Sequence, residues 1–577
     1  MKKPKLSEMT LREKIGQCLL PHQWAIYNVY DENGKKSKRP SQERIALLEK
    51  EQFGVIYGEQ VRQMYNSDTY DNMERVINLV DMSPKVNSAE YKKFIEKQSE
   101  SYKIPPLVAG DSERGTGHVF SDLSLVCDAP CIGSADSEEL AFEIGACIAR
   151  ELRCAGMNWR WSPVVDLGSY RCGTTMRTFA NDDAERTIRL ARAHIRGVQS
   201  EGVAATAKHF PGADRIEYRD AHFCKSMIAS TLEEWWAEQG KVFQELIDDG
   251  VYSIMVGHAA FPAADKTRIN GALIPCTLSK KVITDLLKGQ MGFDGVVITD
   301  GISMAGLSTL MDYEDLIVAL INAGNDVILG AELSSGDIIE QAVKDGKISE
   351  SRIDDACTRV LNMKEKLGMF NDNYNDLPYK AEDVVPHTQE VNMELARKSL
   401  VLVRDDQNLL PLNKENIKNI TVICSTHYDP FVEELAVFKQ ALEAKGANVT
   451  IQRRLSSPDE IKKISANSDL IIYAAYVGMH RPAGGFGLYG EETFTFFHAF
   501  TAGREKSIGV SMGYPYIHYD IMENAGTFIN THSASPESMK ALAEAIFGEI
   551  PIVGNSPVSL IPQPMSAQLR VLESPNA

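Results

Sequence analysis

The chain is expected to fold as an α/β protein, a TIM-like (β/α)8 barrel followed by a smaller, flavodoxin-like α/β sandwich domain. Three observations predict this. Short apolar, β-branched runs alternate with helix-like stretches from about residue 50 to 365. The alternation resumes beyond residue 400, after a polar stretch. And 577 residues exceed one ordinary domain.

The clearest strand is Val296-Val297-Ile298-Thr299, introduced by the turn Gly292-Phe293-Asp294-Gly295 and ending on Asp300. A nearly unbroken apolar run of this kind suits a parallel strand covered on both faces. The other expected barrel strands are residues 54–57, 107–111, 159–166, 203–209, 253–261 and 326–329, which makes seven of eight. Helix signals fall between them. Ser137-Glu138-Glu139 opens a helix that stops near Gly156, and Asp182-Asp183 opens one that ends before Gly202. Thr231-Leu232-Glu233-Glu234 reads as a capping box, and Ser279 can cap the helix carrying Val282, Leu286 and Leu287. Residues 371–394 are polar and turn-rich, so the expected domains are 1–370 and 395–577 with that stretch as linker. The second domain shows strands at 400–403, 420–424, 449–451, 470–475, 508–511 and 527–531, with helices at 431–445 and 536–547, the doubly wound pattern.

Composition narrows the function. A formal net charge of -18 speaks against binding a nucleic-acid backbone. Hydrophobic content of 44% and charged content of 24% are those of a globular protein with ample core. The N-terminal stretch lacks an apolar signal core, and no window approaches a membrane span. Ten scattered cysteines without a CxxC pair suggest buried reduced thiols in a cytoplasmic protein, with no metal motif. No nucleotide fingerprint is present and no cofactor is expected. Oligomeric state is not legible.

Polar residues gather where the expected strands end: Asp111, Asp166, Lys208-His209, His258 and Asp300. In a (β/α) barrel that rim carries the chemistry, and a carboxylate held there can attack the anomeric carbon of a sugar. A single strand-end acid is often only a helix cap; five strands delivering polar groups to one rim are harder to dismiss. Adjacent residues of a strand point opposite ways, so Lys208 and His209 both reach the axis only if the backbone turns, and Pro211-Gly212 offers a turn. The polar loop beyond carries Asp220-Ala221-His222. An Asp-x-His can fix an imidazole tautomer and make an acid/base group, although a surface ion pair has the same spelling.

Lys208-His209-Phe210-Pro211-Gly212 with Asp220-Ala221-His222, and Gly292-Phe293-Asp294-Gly295 with Thr299-Asp300, resemble glycoside hydrolase family 3, and within it the β-N-acetylglucosaminidase branch. The likeness extends to Asn158-Trp159, Ser162-Pro163-Val164-Val165-Asp166, Arg177-Thr178-Phe179 and Leu409-Leu410-Pro411-Leu412. The resemblance implies a retaining, exo-acting β-glycosidase acting on a small carbohydrate. It implies Asp300 as nucleophile, His222 as acid/base and Asp220 as the group orienting it. Asp111, Arg177, Lys208, His209 and His258 are implied as sugar contacts. The sequence departs from the family at Asp111-Ser112-Glu113-Arg114, where its arginine is displaced, and at Ala213-Asp214 and Ala221 in the acid/base loop. These departures bear on which sugar is taken. A β-glucosidase or β-xylosidase, a β-glycoside phosphorylase and a non-catalytic sugar-binding protein are the alternatives. Retention of Asp300, Asp220 and His222 speaks against the last.

Overall fold

The structure is a computed structural model that describes residues 2–30, 36–60, 86–168, 174–214, 221–374, 379–426, 432–453, 457–477 and 491–560, with 170, 172, 217, 219, 455, 487 and 488 as single positions. The chain forms two compact units. The first is built from Met1–Leu125, Phe142–Asp166 and Ala191–Thr388, the second from Val126–Ala141, Leu167–Leu190 and Gln389–Ala577.

The first unit is the barrel. Its strands are β1 (Leu19–Pro21), β2 (Val55–Tyr57), β3 (Leu107–Gly110), β4 (Trp159–Arg160), β5 (Ala204–Phe210), β6 (Ser253–Val256), β7 (Val296–Thr299) and β8 (Ile328–Ala331). Strands β2 to β7 form one parallel sheet in chain order, and β1 pairs in parallel with β8. The two pieces are stitched by a parallel bridge between Ile298 and Val327. On the other side the Gly54 amide donates to the Gly16 carbonyl at 2.8 Å, leading into β2 and β1. The interior is packed by Leu20, Val55, Leu107, Trp159, Met255 and Ile298, all nearly or fully buried. Val360 and Met363, from the helix Glu350–Lys366, join the same core.

Three strands differ from expectation, one of them the stretch expected over 253–261, which is a strand only through Ser253–Val256. The eighth strand is β1, whose Leu-Leu-Pro follows directly on a helix (Leu11–Gln17) and is too short to show alternation. The stretch expected as a strand over 159–166 pairs as a strand only through Trp159–Arg160, because Pro163 has no N–H for a ladder. Local signals otherwise act as read: Thr231 and Glu234 form the capping box, and the Ser279 hydroxyl accepts from the Val282 amide at 3.2 Å.

The second unit holds one six-stranded sheet: β9 (Val401–Asp405), β10 (Asn419–Thr426), β11 (Asn448–Arg453), β12 (Leu470–Tyr476), β13 (Ser507–Ser511) and β14 (Thr527–Asn530). The spatial order is β9-β14-β13-β12-β10-β11, parallel except for β9 against β14. Residues 126–141 belong to this unit: the Cys127 amide donates to Asn392 Oδ1 at 2.9 Å and the Cys131 thiol to the Thr531 carbonyl. The stretch expected as linker, 371–394, contains most of a helix, Ala381–Ser399. Pro386 is the sixth residue of that helix and lies inside it, where its missing N–H removes the bond to the Glu382 carbonyl. Glu382 and Asp383 at that start and Arg397 and Lys398 at the end match the helix dipole.

Candidate active site

Six consecutive strands, β2 to β7, deliver polar groups to the carboxyl-end rim of the barrel. Asp300 follows β7. Its amide donates to the Val256 carbonyl at 2.9 Å, which continues the ladder with β6 and fixes the backbone. The Gly301 amide donates to Asp300 Oδ1 at 2.7 Å, while Oδ2 stands 3.9 Å from His209 Nε2. Burial pushes this carboxyl up. The imidazoles of His209, His258 and His222 and the Gly301 amide outweigh it, and the group is held down to about 2. Asp300 is therefore a carboxylate at any ordinary pH.

Lys208 and His209 both reach the rim. The bend that allows this lies at their own junction, where the pairing of β5 with β6 shifts register between Lys208 and Phe210. Pro211-Gly212 is not where the chain turns the two side chains inward. Lys208 is buried, with its ammonium 2.6 Å from Asp111 Oδ1 and 2.9 Å from Glu113 Oε1. His209 donates from Nδ1 to Asp166 Oδ2 at 2.8 Å, and its amide donates to Asp166 Oδ1 at 2.9 Å. Asp166 thus grips both the ring and the backbone of His209, which turns Nε2 towards Asp300.

Three rim groups were not picked out from sequence. Tyr57 donates its hydroxyl to Asp111 Oδ2 at 3.1 Å. Glu59 accepts the amides of Asp111 at 3.0 Å and Ser112 at 2.7 Å, and the Ser112 hydroxyl as well. It clamps the turn in which Ser112 adopts a left-handed conformation, φ 45°. Burial and then the charge of Asp111 push Glu59 up to about 7, against the pull of those donors. Glu113 is the third, through Lys208. The available signal for Glu59 was its place two residues beyond β2, matching the acids that follow β3, β4 and β7.

His258 is buried, and both ring nitrogens are engaged within the protein. Nε2 donates to the Gly301 carbonyl at 2.9 Å, so Nδ1 receives the Thr277 hydroxyl at 3.0 Å. Burial pushes the ring towards the neutral form, against the attraction of Asp300. With both nitrogens engaged, the ring holds the Gly301 backbone, whose amide meets Asp300.

His222 is exposed, and its loop is tied to the segment after Asp300. The Ala305 amide donates to the His222 carbonyl at 3.1 Å and the Gly306 amide to the Ala221 carbonyl at 3.3 Å. Gly306 permits this approach, since a Cβ there would stand 2.8 Å from the Cys224 carbonyl oxygen and 2.9 Å from that of Ala221. Asp220 lies outside the described residues. Arg177 belongs to the second unit.

The family model for the glycosyl hydrolase family 3 N-terminal domain matches residues 10–363, the whole span of the barrel strands. The chain belongs to glycosyl hydrolase family 3. It is a glycoside hydrolase, and the family's architecture of barrel plus α/β sandwich is the one described above. A β-N-acetylglucosaminidase/β-glucosidase of Cellulomonas fimi is 27% identical over 483 residues, covering 79% of this chain and 84% of that protein. A β-hexosaminidase of Stenotrophomonas maltophilia is 32% identical over 232 residues, 39% of this chain and 67% of its own length. Among solved structures, a family 3 β-N-acetylglucosaminidase from a Paenibacillus species superposes with a TM-score of 0.77 at 24% identity, covering 96% of this chain and 99% of that one. A β-glucoside phosphorylase superposes with a TM-score of 0.80 at 24% identity, covering 96% and 94%. At this identity the structural likeness speaks for the fold.

Proposed function

We propose that this family 3 member is a retaining, exo-acting β-N-acetylglucosaminidase working through a glycosyl ester on Asp300. The observation that carries the reading is the joint placement of Asp300 and the His222 loop. A carboxylate held ionised ends β7, and the loop bearing His222 is hydrogen-bonded to the residues just beyond it. The printed activities of the Cellulomonas and Stenotrophomonas relatives support the choice of sugar.

In the first step Asp300 Oδ2 attacks C1 of the terminal sugar and the bond from C1 to the departing oxygen breaks. His222 gives that oxygen its proton. In the second step water attacks C1, His222 takes the water's proton, and the Asp300 carboxylate leaves. Asp220 orients His222. Lys208, Asp111, His209 and Arg177 hold sugar hydroxyls by charge-assisted bonds, and His258 acts one step back, through the Gly301 peptide. The chemistry is assigned to a catalytic barrel domain of residues 1–370, with 395–577 as the second domain. The scattered cysteines, with no CxxC pair, support placing the protein in the cytoplasm.

Phosphorolysis is the second reading. A histidine at the acid/base position repels an incoming phosphate less than a glutamate would, and the fold is shared with a β-glucoside phosphorylase. A panel of nitrophenyl β-glycosides, assayed with and without phosphate, tests both. The expected result is preference for the N-acetylglucosaminide over glucoside and xyloside, with the free sugar released in phosphate-free buffer. A sugar 1-phosphate formed only with phosphate present would select the second reading; equal turnover of all three glycosides would remove the sugar assignment. For His222→Ala, good leaving groups should keep far more of their rate than poor ones, because a positioned acid contributes roughly 10²–10⁴-fold. Equal losses would end the acid role.

A further inference from the structure

Away from the rim, Glu143, Cys147 and His387 meet on the first unit. One ligand atom from each lies within 4.8 Å of the other two. Glu143 and Cys147 are four residues apart on the helix Glu138–Cys154, which puts them on one face. His387 comes from the first half of the helix Ala381–Ser399. Its Nε2 stands 3.8 Å from Glu143 Oε2. Donors around a tetrahedral zinc ion, with bonds of about 2.0–2.3 Å, are roughly 3.3–3.8 Å apart. The three donor atoms thus stand somewhat wider than a bound ion would hold them, and rotation of the partly exposed Glu143 and His387 side chains would draw the set together.

We propose that Glu143, Cys147 and His387 form a binding site for a zinc-like divalent cation, with water as fourth ligand. The donor set is one sulfur, one imidazole nitrogen and one carboxylate oxygen, which suits a borderline-soft ion and not calcium or magnesium. Binding takes the sulfur as thiolate and releases its proton to solvent, so two anionic ligands balance the two positive charges of the ion. Burial makes the site one-sided. Cys147 is buried, whereas the Glu143 and His387 side chains are 37% and 51% exposed, which gives the ion and its water an entry. The bound ion would tie the helix Glu138–Cys154 to the helix Ala381–Ser399. It would act on stability and leave the chemistry at Asp300 alone.

The plain alternative is an imidazole–carboxylate contact beside an inert thiol. Cobalt(II) titration of the full-length, chelator-treated protein separates the two. The expected result is one equivalent bound with a thiolate-to-cobalt absorption band in the near ultraviolet. Zinc should displace it, calcium and magnesium should not, and the melting temperature should rise by a few degrees. Cys147→Ser should abolish the band and His387→Gln should weaken binding at least tenfold, with glycosidase activity unchanged in both. His387 is half-exposed, so its variant decides the matter if the buried Cys147→Ser does not fold. No band, a band that survives both substitutions, or equal competition by calcium would overturn the proposal.

Discussion

The two rims of the barrel are both rich in charge, and they use it differently. At the amino-end rim Asp326 is fully buried. Its carboxylate takes the Lys288 ammonium at 2.7 Å, the Arg352 guanidinium and the Val297 amide at 2.9 Å. Asp355 adds Arg359 at 3.0 Å. Asp326 is completed by partners, and the helix Glu350–Lys366 supplies Arg352, Asp355 and Arg359. At the carboxyl-end rim the pairing stops short. Lys208 is buried between two carboxylates, yet Asp111 keeps 42% of its side-chain surface and Asp300 keeps 21%. Asp326 and Asp300 thus differ in whether the carboxylate is closed off or left partly towards solvent, in line with the usual division of labour between the ends of such barrels.

Substitutions can break this contrast. Asp300→Asn should lower kcat by roughly 10⁴-fold or more and leave the melting temperature close to wild type; a nitrophenyl glycoside assay beside a thermal scan reads both. Asp326→Ala should do the reverse. It strands Lys288 and Arg352 inside the protein, at a cost of about 3–5 kcal/mol in denaturant unfolding, while kcat at 25 °C holds. If Asp326→Ala lost activity with its stability intact, the division between the rims would fail.

Glu59→Gln sharpens the contrast within the active rim. An amide NH2 would replace one of two oxygens that each face a backbone N–H, so the turn at Asp111 loosens. KM should rise roughly tenfold, with a smaller change in kcat. An effect on Tm alone would make Glu59 merely structural.

The smallest effect belongs to Lys364, buried at the amino end with its ammonium 2.6 Å from Gln17 Oε1. Burial pulls its pKa down to about 7, below the unfolded value of about 10.4. Between those values the unfolded chain binds more protons, so this group's contribution to stability rises with pH across that window. The cost of burying the charge is fully present below pH 7. Lys364→Met should therefore raise Tm at pH 6, and the gain should shrink by pH 9.

The active rim was legible in part because strand ends announce themselves. Asp111, Asp166, Lys208, His209 and Asp300 each close an apolar run and His258 falls within one, and the structure brings all six to one rim. What spacing could not convey was who holds whom. Asp166 gripping His209 and Glu59 gripping the 111–112 turn are contacts between residues more than 40 positions apart. His258 could be placed at the rim, but not its engagement on both nitrogens, which depends on Thr277. Strand β1 escaped because three residues carry no periodicity, and the helix over 381–399 because its first half shares the polar, turn-rich stretch that also holds Pro386. Residues 126–141 and 167–190 carry no mark in their composition that assigns them to the second unit.

Gly306 shows how narrow the tolerance is around the proposed proton source. The loop carrying His222 lies against the chain beyond Asp300 only because residue 306 presents a hydrogen where every other amino acid presents a carbon. The separation between the His222 loop and the chain beyond Asp300 is thus gauged by an atom the protein does without. A single methyl group there would act as a spacer and, on the proposed mechanism, retune the reaction by distance alone.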